Sequence, residues 1–308
     1  MERRPLGNTG ITLPALGFGA APLGGAYGAI TQSEADRAVR AALDAGIDFF
    51  DVSPYYGDAE EVLGRALEGI PRESYTLCTK LGRYGLSEFD FSPQRVVLSI
   101  GESLRRLGTD YLDITLCHDI EFVPLGPVIG ETLPALRRVQ SEGKTRFVGV
   151  SGLPLKIFSE VLAQAELDVV LSYCHASLND DSLLSLLPTL ATHGVGVIGA
   201  SPLAMGLLRD EGPPAWHPAP AELREAAVRA AAHCRTQGKS LAALALRYSL
   251  TLDGPATMLV GLGSEAQVNE NVAAVAEPLD TELLGQVQQI LAPVKNLTWP
   301  SGLPENAG

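Results

Sequence analysis

Four side chains able to move protons or hold charge stand at the ends of three apolar runs. Ile47–Phe50 leads into Asp51 and then, within DVSPYYG, to Tyr55 and Tyr56. Tyr75–Thr79 leads into Lys80, and Tyr111–Cys117 into His118. This set suits proton-coupled chemistry at a carbonyl or an alcohol. A free phenol titrates at about 10, too high for efficient proton exchange near neutrality. A neighbouring ammonium favours the phenolate and lowers that value. Lys80 can supply the charge, and Asp51 can keep Lys80 protonated and in place. Tyr56 can then trade a proton with a substrate oxygen, while His118 donates or accepts a hydrogen bond at the same atom. Each residue alone has a plainer use: a turn aspartate, a solvated lysine, a core histidine, a packed tyrosine. Their joint appearance, in strand order and at matching strand ends, is what points to chemistry.

Such convergence needs a scaffold that gathers strand ends. The chain has 308 residues. Short runs rich in Val, Ile, Leu and aromatics recur along it: Ile47–Phe50, Tyr75–Thr79, Tyr111–Cys117, Arg146–Val150, Asp168–Leu171, Val195–Gly199 and Thr257–Val260. Runs of this kind read as strands buried on both faces, as in parallel sheets. Helical patterns lie between them. Ala35, Ala38, Val39, Ala42 and Leu43 share one face, with Thr31 and Glu34 placed as a capping box and Gly46 as a stop. A second helix starts after Ser92 with Pro93 at its first position and ends at Gly108. Further helices are predicted near 59–68, 130–142, 155–164, 181–192, 221–236, 240–251, 264–275 and 280–291. With Leu16–Gly19 the strands number eight. Eight strand–helix units fit an α/β fold, a closed (β/α)8 TIM barrel, whose active sites sit at the C-terminal ends of the strands. A doubly wound open sheet is disfavoured, because GFGAAPLGG after the first strand does not match the glycine fingerprint of that fold. Residues 212–220 read as a long loop, and 293–308 as a tail without regular structure.

Composition narrows the function classes. A net charge of −13 argues against nucleic acid and against an anionic membrane face, both of which need Lys/Arg clusters. No run reaches the length of a membrane span, and the two N-terminal arginines precede no apolar segment, so neither a span nor a secretory leader is expected. Cys78, Cys117, Cys174 and Cys234 are too scattered for a zinc site or a disulfide framework. No metal is expected, and a reduced, cytoplasmic setting is.

The motifs also carry a resemblance. LGNTGITLPALGFG, GIDFFDVSPYYG, CTKLG, LRRLGTDYLDITLCHD, EGKTRFVGVSG, SPLAMGLL and QVNENVAA, spread over nearly the whole chain, are similar to the aldo-keto reductase superfamily. The D-x4-YG, Lys and His positions of that family fall on Asp51, Tyr56, Lys80 and His118, which makes Tyr56, not Tyr55, the implied proton donor or acceptor. The resemblance implies one barrel domain over residues 1–308, with a short N-terminal β-hairpin and a C-terminal helix and tail. Within the superfamily, SPYYG, CHDIEF, LSYCH, GPP-x-WHPA and VKNLTWPSG resemble the plant-type L-galactose dehydrogenase group. That implies NAD-dependent oxidation of an aldose at C1 to a lactone, as in ascorbate biosynthesis or sugar catabolism. L-Fucose or D-arabinose dehydrogenases and a pyridoxal dehydrogenase share much of the pattern. A non-enzymatic regulatory subunit is a further reading, disfavoured by the intact set of four.

Family-wise, the cofactor is expected against Gly19, Ala20, Ser151, Ser172, Ser201, Leu203, Gly206, Gly261, Gly263, Gln267, Glu270 and Asn271. This chain departs from the common pattern in three places. Ser151-Gly152 stands where a Ser-Asn pair is usual, Ser172 where a Gln is, and Ala200 where a tyrosine often stacks. A clamp for a 2′-phosphate needs Lys or Arg. The stretch Gly261–Asn271 has no cation and two carboxylates, Glu265 and Glu270, so NAD is predicted over NADP. For a sugar substrate, contacts are expected from Tyr56, His118, Asp119 and Trp216. Arg83, Glu121 and His175 are further candidates to bond hydroxyls, and His217 and Trp299 lie in expected loops. Nothing in the sequence sets the oligomeric state.

Overall fold

Antiparallel strands β1 (Arg3–Pro5) and β2 (Thr12–Pro14) form a hairpin ahead of eight parallel strands in the computed structural model, which describes residues 1–25 and 28–307. The eight are β3 (Leu16–Gly19), β4 (Phe49–Asp51), β5 (Thr76–Leu81), β6 (Leu112–Cys117), β7 (Thr145–Gly152), β8 (Val169–Tyr173), β9 (Gly196–Ala200) and β10 (Thr257–Gly261). They pair in sequence order, and β10 closes on β3, giving the expected (β/α)8 barrel. All eight predicted runs became strands, with no end displaced by more than two residues.

Local chemistry explains the helices that space the strands. The helix Gln32–Asp44 begins with the predicted capping box, Thr31 and Glu34 each bonding the other's backbone. Pro93–Leu107 starts on Ser92, whose side chain accepts from Arg95 N–H, and ends at Gly108 with φ 65°. Their buried faces carry Ala35, Ala38, Val39 and Ala42, and Val96, Ile100 and Leu107, respectively. The predicted helix at 181–192 is broken into a 3-10 turn, Ser182–Ser185, and a short helix, Leu187–Thr192, with Pro188 in its first turn.

Inside the barrel, Phe49, Cys78, Ile114, Leu116, Val169, Leu171, Ile198 and Leu259 form one cluster. Leu6, Ile11 and Leu13 of the hairpin join it, so the hairpin plugs the end where the strands begin. Asn8 N–H donates to Gly194 O at 2.8 Å there, just ahead of β9. The opposite end, where the strands finish, is left for the polar residues.

The tail corrects the sequence expectation. Residues from 292 onward carry two 3-10 turns, Ala292–Val294 and Pro304–Asn306, and are bonded to the barrel. Leu303 N–H and Asn306 Nδ2 both donate to the Glu121 carbonyl, at 2.8 and 2.9 Å. Trp299 is buried against His217, ring centroids 4.8 Å apart. Residues 212–220 carry no helix or strand, as predicted.

Candidate active site

Parallel pairing sets the site. Gly19, Asp51 and Cys78 lie abreast on β3, β4 and β5, and Cys78 is level with Ile114 on β6. Side chains alternate along a strand, so Cys78 and Lys80 share the barrel-facing side of β5. Lys80 therefore rises one layer above the apolar interior, with Asp51 at the end of β4 and His118 just past the end of β6.

Lys80 is 2% exposed, and its Nζ donates to Asp51 Oδ1 at 2.5 Å and to Val52 O at 3.0 Å. An ammonium has three hydrogens, so one remains for a third partner. The ammonium lies 5.0 Å from the Tyr56 ring centroid. Burial pulls the Lys80 pKa down, but Asp51, with Tyr56 and Cys78 beside it, more than offsets this, and the group is held above its ordinary value. Lys80 is a fixed positive charge. The sequence reading expects that charge to make Tyr56 unusually acidic. Packing instead pushes the phenol upward more than Lys80 pulls it down, and Asp51 and Asp119 add to the rise. Lys80 limits the rise without reversing it.

His118 is 3% exposed. Its ring stands edge-on to Tyr55 and Tyr56, at 5.7 and 5.6 Å. Burial, with Lys80 and Arg83 nearby, holds it well below the ordinary imidazole value, so it is neutral. Asp119 follows with φ 50°, a left-handed conformation that is strained for a residue with a side chain. Its carboxylate pairs with Arg83 at 2.5 Å and lies 3.5 Å from His118 Nε2. Arg83 Nη2 also donates to Tyr55 Oη at 3.2 Å, and its guanidinium packs on the Tyr55 and Phe122 rings. Two residues that sequence reasoning missed as site residues stand here. Ser53 Oγ is 2.9 Å from His118 Nδ1, and Tyr55 is tied to Arg83. The serine between Asp51 and the tyrosines was a signal that DVSPYYG already held.

A cleft of about 700 Å³ opens on the β9–β10 side. Of the predicted cofactor residues, Ser201, Leu203, Gly206, Gly261, Gln267, Glu270 and Asn271 line it, together with Pro22 and Met205. The 3-10 turn Ala21–Gly24 links the cleft to the mouth: Pro22 lines the cleft, and Gly24 sits so close to the Tyr56 carbonyl that a Cβ there would collide with it. Gly19 is paired with both Asp51 and Gly261, and Ala20 N–H donates to Asp51 O at 2.8 Å. A Cβ on Gly263 would come within 2.9 Å of Pro22. Ser151 is buried beside the mouth, where its Oγ accepts Asp119 N–H at 3.2 Å.

Two predicted positions fall elsewhere. Val169 and Leu171 face the barrel interior, so the alternation of β8 turns Ser172 towards the helices, where its buried hydroxyl has no partner. Trp216 is 59% exposed on the rim of the β9–β10 cleft, among the cofactor candidates and not beside His118. Among the hydroxyl-bonding candidates, His175 is buried against Asp180, and Glu121 is buried beneath the tail. One cation the sequence reading overlooked enters the cleft: Arg209, paired with Glu211 at 3.2 Å. It lies more than fifty residues before the stretch in which a phosphate clamp is expected.

Residues 15–292 match the model of the aldo/keto reductase family. The chain is 53% identical to an L-galactose dehydrogenase of Arabidopsis thaliana over 99% of each chain. It is 36% identical to a D-arabinose 1-dehydrogenase of Saccharomyces cerevisiae, over 86% of this chain and 87% of the other. Among solved structures, an aldo-keto reductase from Bacillus halodurans in its holo form superimposes with a TM-score of 0.79 at 28% identity, covering all of both chains. With the barrel and the polar set at its mouth, these matches establish that the chain belongs to the aldo/keto reductase family.

Proposed function

We propose that the protein is an NAD-dependent aldose 1-dehydrogenase that oxidises L-galactose at C1 to its 1,4-lactone, with Asp51, Tyr56, Lys80 and His118 as its catalytic residues. The observation that carries the chemistry is the buried Lys80 ammonium, held by Asp51 and facing Tyr56, with His118 edge-on to the same ring. The 53% identity to a protein named for L-galactose supports the substrate. Relatives named for D-arabinose and for pyridoxal are 36% and 29% identical, which makes other aldoses and pyridoxal the competing substrates.

The residues of the cleft fit a dinucleotide. Small residues, Gly261 and Gly263 against Pro22, let a flat group lie close to the backbone. Gln267, Glu270 and Asn271 offer polar groups for the adenosine end, and Arg209 is the one cation among the described residues lining the cleft. A single guanidinium suits a pyrophosphate, whereas a further phosphate beside Glu270 would be repelled. A nicotinamide held there would supply the acceptor for the hydride on C1 of the sugar. The Tyr56 oxygen takes the C1 hydroxyl proton. Lys80 stabilises the resulting negative charge on Tyr56, and Asp51 keeps Lys80 protonated. Asp119, fixed by Arg83, offers its remaining acceptor capacity to a sugar hydroxyl. Tyr56 must be ionised to act as the base, and its pKa is raised, so oxidation should accelerate as pH rises into the alkaline range. Cytoplasmic placement and one domain over 1–308 belong to the same reading.

Steady-state kcat/KM for L-galactose, L-fucose, D-arabinose and pyridoxal, each with NAD and NADP, tests it. L-Galactose with NAD should rank first, and NADP in that place would overturn the cofactor assignment. Tyr56→Phe should lower kcat by roughly 10²–10⁴-fold. A variant of full activity would remove the mechanism.

A further inference from the structure

Both ring nitrogens of His118 face polar groups, and those groups are not equivalent. Nδ1 lies 2.9 Å from Ser53 Oγ, and Nε2 lies 3.5 Å from Asp119 Oδ2. Ser53 has no exposed surface. Its Oγ already accepts the backbone N–H of Tyr55 at 3.1 Å. A serine hydroxyl has one hydrogen to give, and among the described residues His118 Nδ1 is the acceptor within its reach.

Two arrangements of the neutral ring can be compared. With the proton on Nδ1, the ring would donate to Ser53. The Ser53 hydrogen would then be buried without an acceptor, and the bare Nε2 would face the Asp119 carboxylate. With the proton on Nε2, Ser53 donates to Nδ1, so its buried hydrogen has an acceptor. The Nε2–H then lies on the side of the Asp119 carboxylate, 3.5 Å away, with no protein hydrogen bond among the described residues to compete with a substrate oxygen. The imidazolium form is opposed by burial and by Lys80 and Arg83, the cations nearest the ring.

We propose that Ser53 is a positioning residue that holds His118 in its Nε2–H form, so that the histidine enters the active site only as a hydrogen-bond donor. This rests on the reading of Tyr56 and His118 as the pair that meets one substrate oxygen. Its consequence is a division of labour. His118 supports the oxygen with a donated hydrogen and has no free lone pair, so the hydroxyl proton can go only to Tyr56. The same serine holds the other partner by its backbone: Tyr56 N–H donates to Ser53 O at 3.0 Å. Replacing the side chain keeps that bond, so the two functions can be separated.

The test is the tautomer of His118, read from ring ¹⁵N shifts in ¹⁵N-histidine-labelled protein and assigned against His118→Asn. Wild type should show an unprotonated Nδ1 and a protonated Nε2 at every pH from 6 to 9. A wild-type Nδ1–H signal overturns the proposal without reference to any variant. In Ser53→Ala, Nδ1–H should become populated, and kcat should fall about tenfold, less than the roughly 10²–10⁴-fold loss of removing an acid–base group outright, because His118 itself remains. Sugar KM and NAD Kd should stay within about twofold. Ser53→Thr, which keeps the hydroxyl, should restore both readouts. A Ser53→Ala ring that stays wholly Nε2–H with unchanged kcat also overturns it. The shifts need neither sugar nor cofactor. Failure of Tyr56→Phe to lose activity would therefore remove the assigned chemistry and leave the tautomer result standing.

Discussion

The two halves of the barrel mouth are built differently. On the β4–β6 side, Asp51, Lys80 and His118 are at most 4% exposed, and each has a charged or hydroxyl partner within 3 Å. On the β9–β10 side, Gln267 and Glu270 are exposed, and Arg209 pairs with Glu211 across side chains that are half or more exposed. Taking charges out of water is expensive, and a buried pair stands only if its geometry is good, whereas an exposed pair contributes little. The first half is therefore rigid and costly to disturb. The second can exchange partners, as a cleft that admits and releases a molecule must.

The contrast can be attacked where it should be greatest. Asp51→Asn leaves the Lys80 ammonium buried without a counter-charge, and a broken buried pair costs about 3–5 kcal/mol. Urea unfolding should show that loss. A change below about 1 kcal/mol would erase the distinction between the two halves.

Glu121 sharpens the same point beneath the tail. Its Oε1 accepts from Leu153 N–H, Tyr173 Oη and Ser301 Oγ, while its Oε2 is buried without a partner. Burial, aided by Asp119, raises its pKa to about 7. The folded chain thus holds this proton more tightly than the unfolded one, which releases it near the ordinary carboxylate value. Stability from this group falls as pH rises from that value through about 7, by on the order of 3 kcal/mol in full. Glu121→Gln should flatten the decline, measured as Tm at pH 5 and 8.5 for both proteins. Parallel declines would show that the carboxyl is not the source.

The smallest effect belongs to the open half. Arg209→Ala should weaken NAD binding by about two- to fivefold in isothermal titration, and less at high salt. A loss as large as a hundredfold would mean that the cleft is as preorganised as the catalytic side.

The reading from sequence matches the structure where a side chain's position follows from its place on a strand. Asp51, Lys80 and His118 lie within one residue of the ends of consecutive strands, and parallel pairing obliges consecutive strand ends to meet. The predicted capping box at Thr31 and the stop at Gly108 are local and formed as expected. Ser172 faces the helices because neighbouring residues on a strand point to opposite sides, and a family position does not by itself tell which side. The tail read as irregular because its bonds run to Glu121, more than 170 residues away.

Sequence alone determined the barrel, the strand ends that carry Asp51, Tyr56, Lys80 and His118, and the lack of cations in Gly261–Asn271. These are matters of period, order and composition. Only the tertiary structure decided which nitrogen of His118 meets Ser53, that packing outweighs Lys80 at the Tyr56 phenol, and that Arg209 enters the cleft. Those outcomes depend on distances of a few ångströms between residues far apart in the chain, and on how much water the fold leaves around them.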